Sequence, residues 1–274
     1  MKHVRKILVP IDFSASAANA FKFAQKLAKK FGARLKVINI YRADFGMPVP
    51  ETMAYQMLEA RKAEALKKME NFLKTADVEL KIENVVELGY PSDMIVDYTK
   101  LKEEKIDLII MGTKGEHNLA ERILGSVSTA VIRDALCPVL VVPENCKELE
   151  IKKIAYASDL KKDTAESIGE AAKIAKLFDA TLHFVYIDTN GVSSGEEKQK
   201  FKELISKLHV GINLTELKSD TVDHGLDSYV HEEGVDLLLM YRPHRTLFER
   251  IFHNSATKKV ALHSTVPLLV FKKQ

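Results

Sequence analysis

Asp107-Leu108-Ile109-Ile110-Met111-Gly112-Thr113-Lys114-Gly115 runs from an apolar stretch into a glycine-containing turn, and nine residues later comes Gly125-Ser126-Val127-Ser128. Four consecutive apolar residues without polar alternation describe a strand covered on both faces, the pattern of a parallel sheet between helices. The second stretch predicts a helix from about Ser126 to Ala135. Upstream lies an equivalent apolar run, Ile7 to Ile11, which carries Pro10 and ends at Asp12. Ser14 is placed to cap a helix whose apolar positions Ala17, Phe21, Ala24, Leu27, Ala28 and Phe31 recur every three or four residues. Gly32 stands where that helix wants a left-handed residue. A strand over Leu35 to Tyr41, a polar loop with prolines, and a long helix with Leu58, Ala65, Leu66, Met69, Phe72 and Leu73 on one side follow. Then come a strand near Leu80 to Val86 and a helix opened by Pro91. The strand Pro138 to Val142 closes the series. Such alternation specifies an α/β fold, which binds ligands beyond the carboxyl ends of its strands.

The whole series occurs twice. Phe31-Gly32-Ala33-Arg34-Leu35-Lys36-Val37-Ile38 returns 147 positions later as Phe178-Asp179-Ala180-Thr181-Leu182-His183-Phe184-Val185, and the same offset carries Ile7–Asp12 onto Ile154–Asp159. Ile106-Asp107-Leu108-Ile109-Ile110-Met111 matches Val235-Asp236-Leu237-Leu238-Leu239-Met240 at an offset of 129, and Glu121-Arg122-Ile123 matches Glu249-Arg250-Ile251 at 128, so the second copy is shorter in its middle. Each copy ends on an apolar strand after a proline, Pro138 to Val142 and Pro267 to Phe271. The polar connector Pro143 to Glu150 divides a first domain, residues 1–146, from a second, residues 147–274.

A length of 274 residues fits two domains of roughly 100 to 200 residues each. With 46% hydrophobic and 29% charged residues the chain buries two cores without disulfides or disorder. Its formal charge is +3, from 22 basic and 19 acidic residues up to Cys146 and 19 of each afterwards, which excludes the positive surplus of a nucleic-acid-binding domain. Two cysteines, Cys137 and Cys146, make no disulfide framework and no paired metal spacing, so reduced thiols in a cytoplasmic protein are expected. The basic start Met1 to Lys6 precedes an apolar run too short for a signal peptide, and no stretch approaches the roughly 20 apolar residues of a membrane span.

Gly112, Gly115 and Gly125 share one physical use. Without a Cβ they let backbone N–H groups approach an anion, and the helix opening at Ser126 adds unpaired donors and a favourable dipole for phosphate. The hydroxyls of Ser126 and Ser128 are further donors, with Lys114 nearby in sequence. Asp12 either accepts from a ribose hydroxyl or base amine, or serves as a helix-start residue. The chain contains neither G-x-x-x-x-G-K-[ST] nor G-x-G-x-x-G, which excludes a P-loop hydrolase and a dinucleotide oxidoreductase.

The spacing G-x2-G-x9-G-[ST] behind an apolar strand, together with Val9-Pro10-Ile11-Asp12, resembles the universal stress proteins in their tandem form. The resemblance implies two doubly wound parallel five-stranded sheets with helices on both faces, forming an intramolecular pseudo-dimer through the strand Pro138 to Val142 and its counterpart. It implies ATP as ligand, with or without magnesium. By matching positions Pro10, Asp12 and Ile40 would line the adenosine pocket, Met111 and Gly112 would continue it, and Gly115, Gly125, Ser126, Val127 and Ser128 would hold ribose and phosphates. The expected function is a stress-response protein whose nucleotide biases conformation or association, against a slow ATPase or a nucleotide-independent interaction module. A further homodimer stays open.

The second copy departs from this pattern. It reads Tyr241-Arg242-Pro243-His244 and later His253-Asn254 where the glycines stood, and Ala157 replaces Pro10 while Asp159 matches Asp12. ATP is not expected there by the same mode. Arg242, Arg245, Arg250 and His244 read either as an anion site or as a solvated basic surface. The histidines concentrated in this half, His224, His231, His244, His253 and His263, lack zinc-site spacing. Met47, Met53, Tyr55 and Met57 form either an adaptable lid or ordinary packing under a loop.

Overall fold

Strand β1 (Lys6–Pro10) is buried at every residue, its apolar part Ile7 to Pro10 as a strand covered on both faces demands. It pairs in parallel with β2 (Arg34–Tyr41) on one side and β4 (Leu108–Gly112) on the other. With β3 (Ile82–Leu88) and β5 (Val139–Val142) the order across the first half is β3-β2-β1-β4-β5. The computed structural model describes residues 3–43, 49–113, 125–146, 150–158, 160, 164–189, 195–206, 213–242 and 266–272.

Helix α1 (Ala15–Phe31) begins where Ser14 Oγ accepts from the Ala17 N–H at 3.1 Å and stops at Gly32, left-handed at φ +65°. Its apolar stripe, from Ala17 to Ala28, lies against the sheet. Helix α2 (Glu51–Leu73) is more exposed than its sequence suggests. Ala65 and Met69 are buried and Phe72 meets Phe21 at 5.0 Å, but Leu66 faces solvent, because one residue beyond Ala65 is a rotation of about 100° away from the stripe. Met53 and Tyr55 are exposed too, and Met47 lies outside the described residues. β3 starts two residues later than the apolar pattern implies, since Leu80 N–H closes a turn on the Asp77 carbonyl at 3.1 Å. α3 (Pro91–Lys100) opens on its proline, and α4 (Ser126–Asp134) follows Gly125.

The second half repeats the plan with β6 (Lys153–Ser158), α5 (Ala165–Phe178), β7 (Thr181–Asp188), α6 (Gly195–Ser206), β8 (Asn213–Lys218), α7 (Val222–Glu233), β9 (Leu237–Arg242) and β10 (Leu268–Lys272). Its order is β10-β9-β6-β7-β8, again all parallel. The described residues from His3 to Glu144 and those from Asn145 onward form two compact units. Cys137 and Cys146 are buried, and burial pushes the Cys146 thiol up to about 11.

At the amino ends of the strands the halves are built alike. Asp107 Oδ2 accepts from the N–H groups of Arg5 (2.8 Å) and Lys6 (3.1 Å), and Asp236 Oδ2 accepts from those of Lys152 and Lys153 at 2.8 Å each. Lys6 Nζ lies 2.8 Å from Glu104, and Lys153 Nζ lies 2.7 Å from Glu233. The matching Ile106-Asp107 and Val235-Asp236 pairs are therefore structural.

Candidate functional site

The connections leave β1 in opposite senses, through β2 to β3 on one side and through β4 to β5 on the other. The crevice beyond the carboxyl ends of β1 and β4, where the strand order reverses, is the natural ligand site of the first half. Pro10 is the last residue of β1, Ile40 is the penultimate residue of β2, and Met111 and Gly112 end β4. Pro10, Met111 and Gly112 are buried, and Ile40 is half-buried.

Past β1 the chain turns sharply. Asp12 is half-buried, and its Oδ1 accepts from Ser14 N–H at 3.1 Å and Ser14 Oγ–H at 2.6 Å. Ser14 thus fixes the carboxylate and caps α1 at once. Phe13 between them has φ +66°, unusual for a bulky side chain, and its ring lies edge-on to Phe72 at 6.0 Å. Underneath, buried Asn39 donates to the Ile11 carbonyl at 2.9 Å, while Ile11 N–H donates to the Ile38 carbonyl at 2.8 Å, which holds the exit of β1 against β2.

Gly112 is required by packing. A Cβ there would come within 2.8 Å of the Ser16 carbonyl carbon and 2.9 Å of its oxygen, besides striking Ser16 Oγ. The first turn of α1 therefore rests directly on the end of β4. On the other side buried Ser128 of α4 donates its hydroxyl to the Gly112 carbonyl at 2.9 Å, and Gly125 N–H donates to the Thr113 carbonyl at 2.7 Å. These two bonds set the N-terminus of α4 beside β4. They also commit the Ser128 hydrogen to the backbone, so Ser128 offers a ligand its N–H, or its oxygen as an acceptor.

Gly125 occupies the N-cap of α4 with an extended backbone and, lacking a side chain, supplies no capping acceptor. Ser126 is exposed and Val127 half-buried at the mouth of that helix. The first-turn N–H groups of a helix seek an acceptor, and an anion is favoured there by charge as well as geometry. Asp12, Gly112, Gly125, Ser126, Val127 and Ser128 are thus gathered at the switch point, whereas Gly115 and Lys114 lie outside the described residues. Asp159, His244, Arg245, Arg250, His253, Asn254 and His263 lie outside them as well. Among the described residues no group of three His, Cys, Asp or Glu side chains converges to hold a metal, and no helix is long and apolar enough to cross a membrane. Ser16, Asn39 and Thr113 complete the site without having been expected. Asn39 alone carried a signal, a polar residue inside an apolar strand.

Comparison with known proteins adds a family. The model of the universal stress protein family matches residues 3–143 and again 150–272. Universal stress protein MJ0531 of Methanocaldococcus jannaschii is 37% identical over 150 residues, covering 53% of this chain and 85% of its own length. Universal stress protein Slr1230 of a Synechocystis strain is 23% identical over 299 residues, covering 98% of this chain and 100% of its own. A solved universal stress protein from Archaeoglobus fulgidus shares the fold across 99% of this chain and 97% of its own, with a TM-score of 0.71 at 18% identity.

Proposed function

The chain belongs to the universal stress protein family, and from that premise we propose that its first half binds ATP, the nucleotide acting as a ligand that biases conformation or association. The observation that carries this reading is the N-terminus of α4, whose N-cap Gly125 has no side chain to cap it and which is tied by Ser128 and Gly125 to the end of β4 at the sheet's reversal. Such a helix end suits a phosphate. Pro10, Ile40 and Met111 would offer apolar contact to the base, and Asp12 would accept from the ribose or base. Gly112 would bring the backbone close, and Gly115, Gly125, Ser126, Val127 and Ser128 would hold the phosphates. A magnesium ion would accompany the phosphates and offset their charge.

Bound nucleotide stabilises the fold it binds, by about 2.7 kcal/mol at 100 times Kd. The test is to denature purified protein and quantify released nucleotide by mass spectrometry, beside thermal shifts with ATP. We expect ATP or ADP in the wild type and its loss, with the thermal shift, in Gly125→Val. A full ATP shift in Gly125→Val would sink the site assignment, and phosphate release lost in the same variant would turn the reading to a slow ATPase.

A further inference from the structure

Tyr241, one residue before the end of β9, is the counterpart of Gly112 at the end of β4, and what stands there differs. Strand registers set Gly112 beside Val142 in the first half and Tyr241 beside Phe271 in the second, and likewise Val9 beside Val37 and Tyr156 beside Phe184. Three valines and a glycine have given way to four aromatic residues, all buried. Their rings form a chain: Tyr241 to Phe271 at 5.3 Å, Phe271 to Tyr156 at 6.2 Å, Tyr156 to Phe184 at 4.9 Å, then Phe184 to Phe201 of α6 at 5.4 Å. These are ordinary separations for packed aromatic pairs.

Phe21 of α1 corresponds to Ile168 of α5, and α5 opens at Ala165, the counterpart of Ala18 (165 − 147), three residues past Ala15 where α1 opens. Tyr241 thus stands in register for Gly112, the glycine on which Ser16 rests, while the counterpart of Ser16, Asp163, lies outside the described residues. Tyr241 is 7% exposed, and Leu160, beyond the end of β6, is 5% exposed. Ser158 Oγ between strand and loop accepts from Leu160 N–H at 3.1 Å. Leu160 keeps the left-handed backbone of Phe13, φ +46° against +66°, so the turn is inherited while its surroundings are filled.

We infer that Tyr241 closes the second switch point to nucleotide, leaving one ATP site per chain. The count rests on the ATP reading above, but the closure rests on packing alone. Closure by a core side chain also means that restoring loop glycines in the second half would not create a site.

The chain contains no tryptophan, so Tyr241→Trp introduces a single reporter. In that variant, and in Tyr241→Trp combined with Gly125→Val, the expected emission is that of a shielded indole, weakly quenched by acrylamide and unchanged by ATP, and equilibrium dialysis of wild type gives one ATP per chain. In parallel, tetranitromethane on the wild-type chain should nitrate exposed Tyr55 and Tyr90 long before Tyr241, read by peptide mapping, which requires no substitution to fold. Two ATP per chain, an ATP response at position 241 that survives Gly125→Val, or nitration of Tyr241 as fast as Tyr55 would each overturn the closure. No ATP bound with Tyr241 still protected would sink the ATP reading and leave the closure standing.

Discussion

Gly112 shows how one residue answers two demands. Its sequence position advertised backbone approach to an anion, while the contact that forbids a Cβ is with Ser16, 96 residues earlier in the chain. Gly112→Ala should cost about 1–3 kcal/mol by overpacking, seen as a lower urea midpoint at unchanged slope. Adding Ser16→Gly should recover only part of the loss, since the Ser16 backbone carbon and oxygen remain in the way. Full stability in Gly112→Ala would show that α1 shifts freely and that the close contact is unimportant. Asp12, Gly112 and Gly125 could be singled out in the sequence because their types are chemically distinctive. Ser16 and Thr113 were not, since a serine in a helix and a threonine in a turn are ordinary until a distant strand end arrives beside them.

Among the elements, α1 carries the site through its first turn. Ser14→Ala removes the oxygen that accepts from Ala17 N–H and the hydroxyl that donates to Asp12, and should cost about 1 kcal/mol in thermal or urea denaturation. An unchanged midpoint would show that another acceptor takes over the cap. The apolar runs of β1, β2, β4 and β5 and both ends of α1 were readable from sequence because burial on two faces and capping leave strong local marks. The start of β3 and the face of α2 were not. Leu80 is apolar but belongs to a turn, and Leu66 is apolar but points to water, so hydrophobicity without its partner misplaces both.

At the scale of the whole molecule the two halves differ in acid response. Burial alone would raise Glu104, but hydrogen bonds from Lys36 and Lys6 more than offset it and hold the carboxyl below its usual 4.5. The unfolded chain then takes up the proton first, so this stability is complete above about pH 4.5 and is lost as pH falls through the lower folded value. In the second half His183 stands in the place of Lys36. Burial, helped by Lys153 and opposed by Glu233, lowers the His183 ring below the usual 6.5. Here too the unfolded chain protonates first, and the loss begins as pH drops below 6.5. Hydrogen exchange followed from neutral pH into mild acid should therefore show α7 and β7 losing protection before α3 and β2, and His183→Gln should abolish the difference; simultaneous loss would refute it. Glu104→Gln, at a side chain 16% exposed, should cost about 1–3 kcal/mol by taking the carboxylate from Lys36 while Lys6 keeps Glu83 at 3.1 Å, and Glu233→Gln, 49% exposed, far less. The aspartates clamping β1 and β6 at their amino ends carry a last consequence. One pole is alike in the two halves, where Asp107 and Asp236 do the same job, and the opposite pole carries a glycine in one half and a tyrosine in the other. Heritable foldability and changeable chemistry thus occupy separate ends of the same strands, and a lineage can rewrite what one copy recognises without renegotiating how it folds.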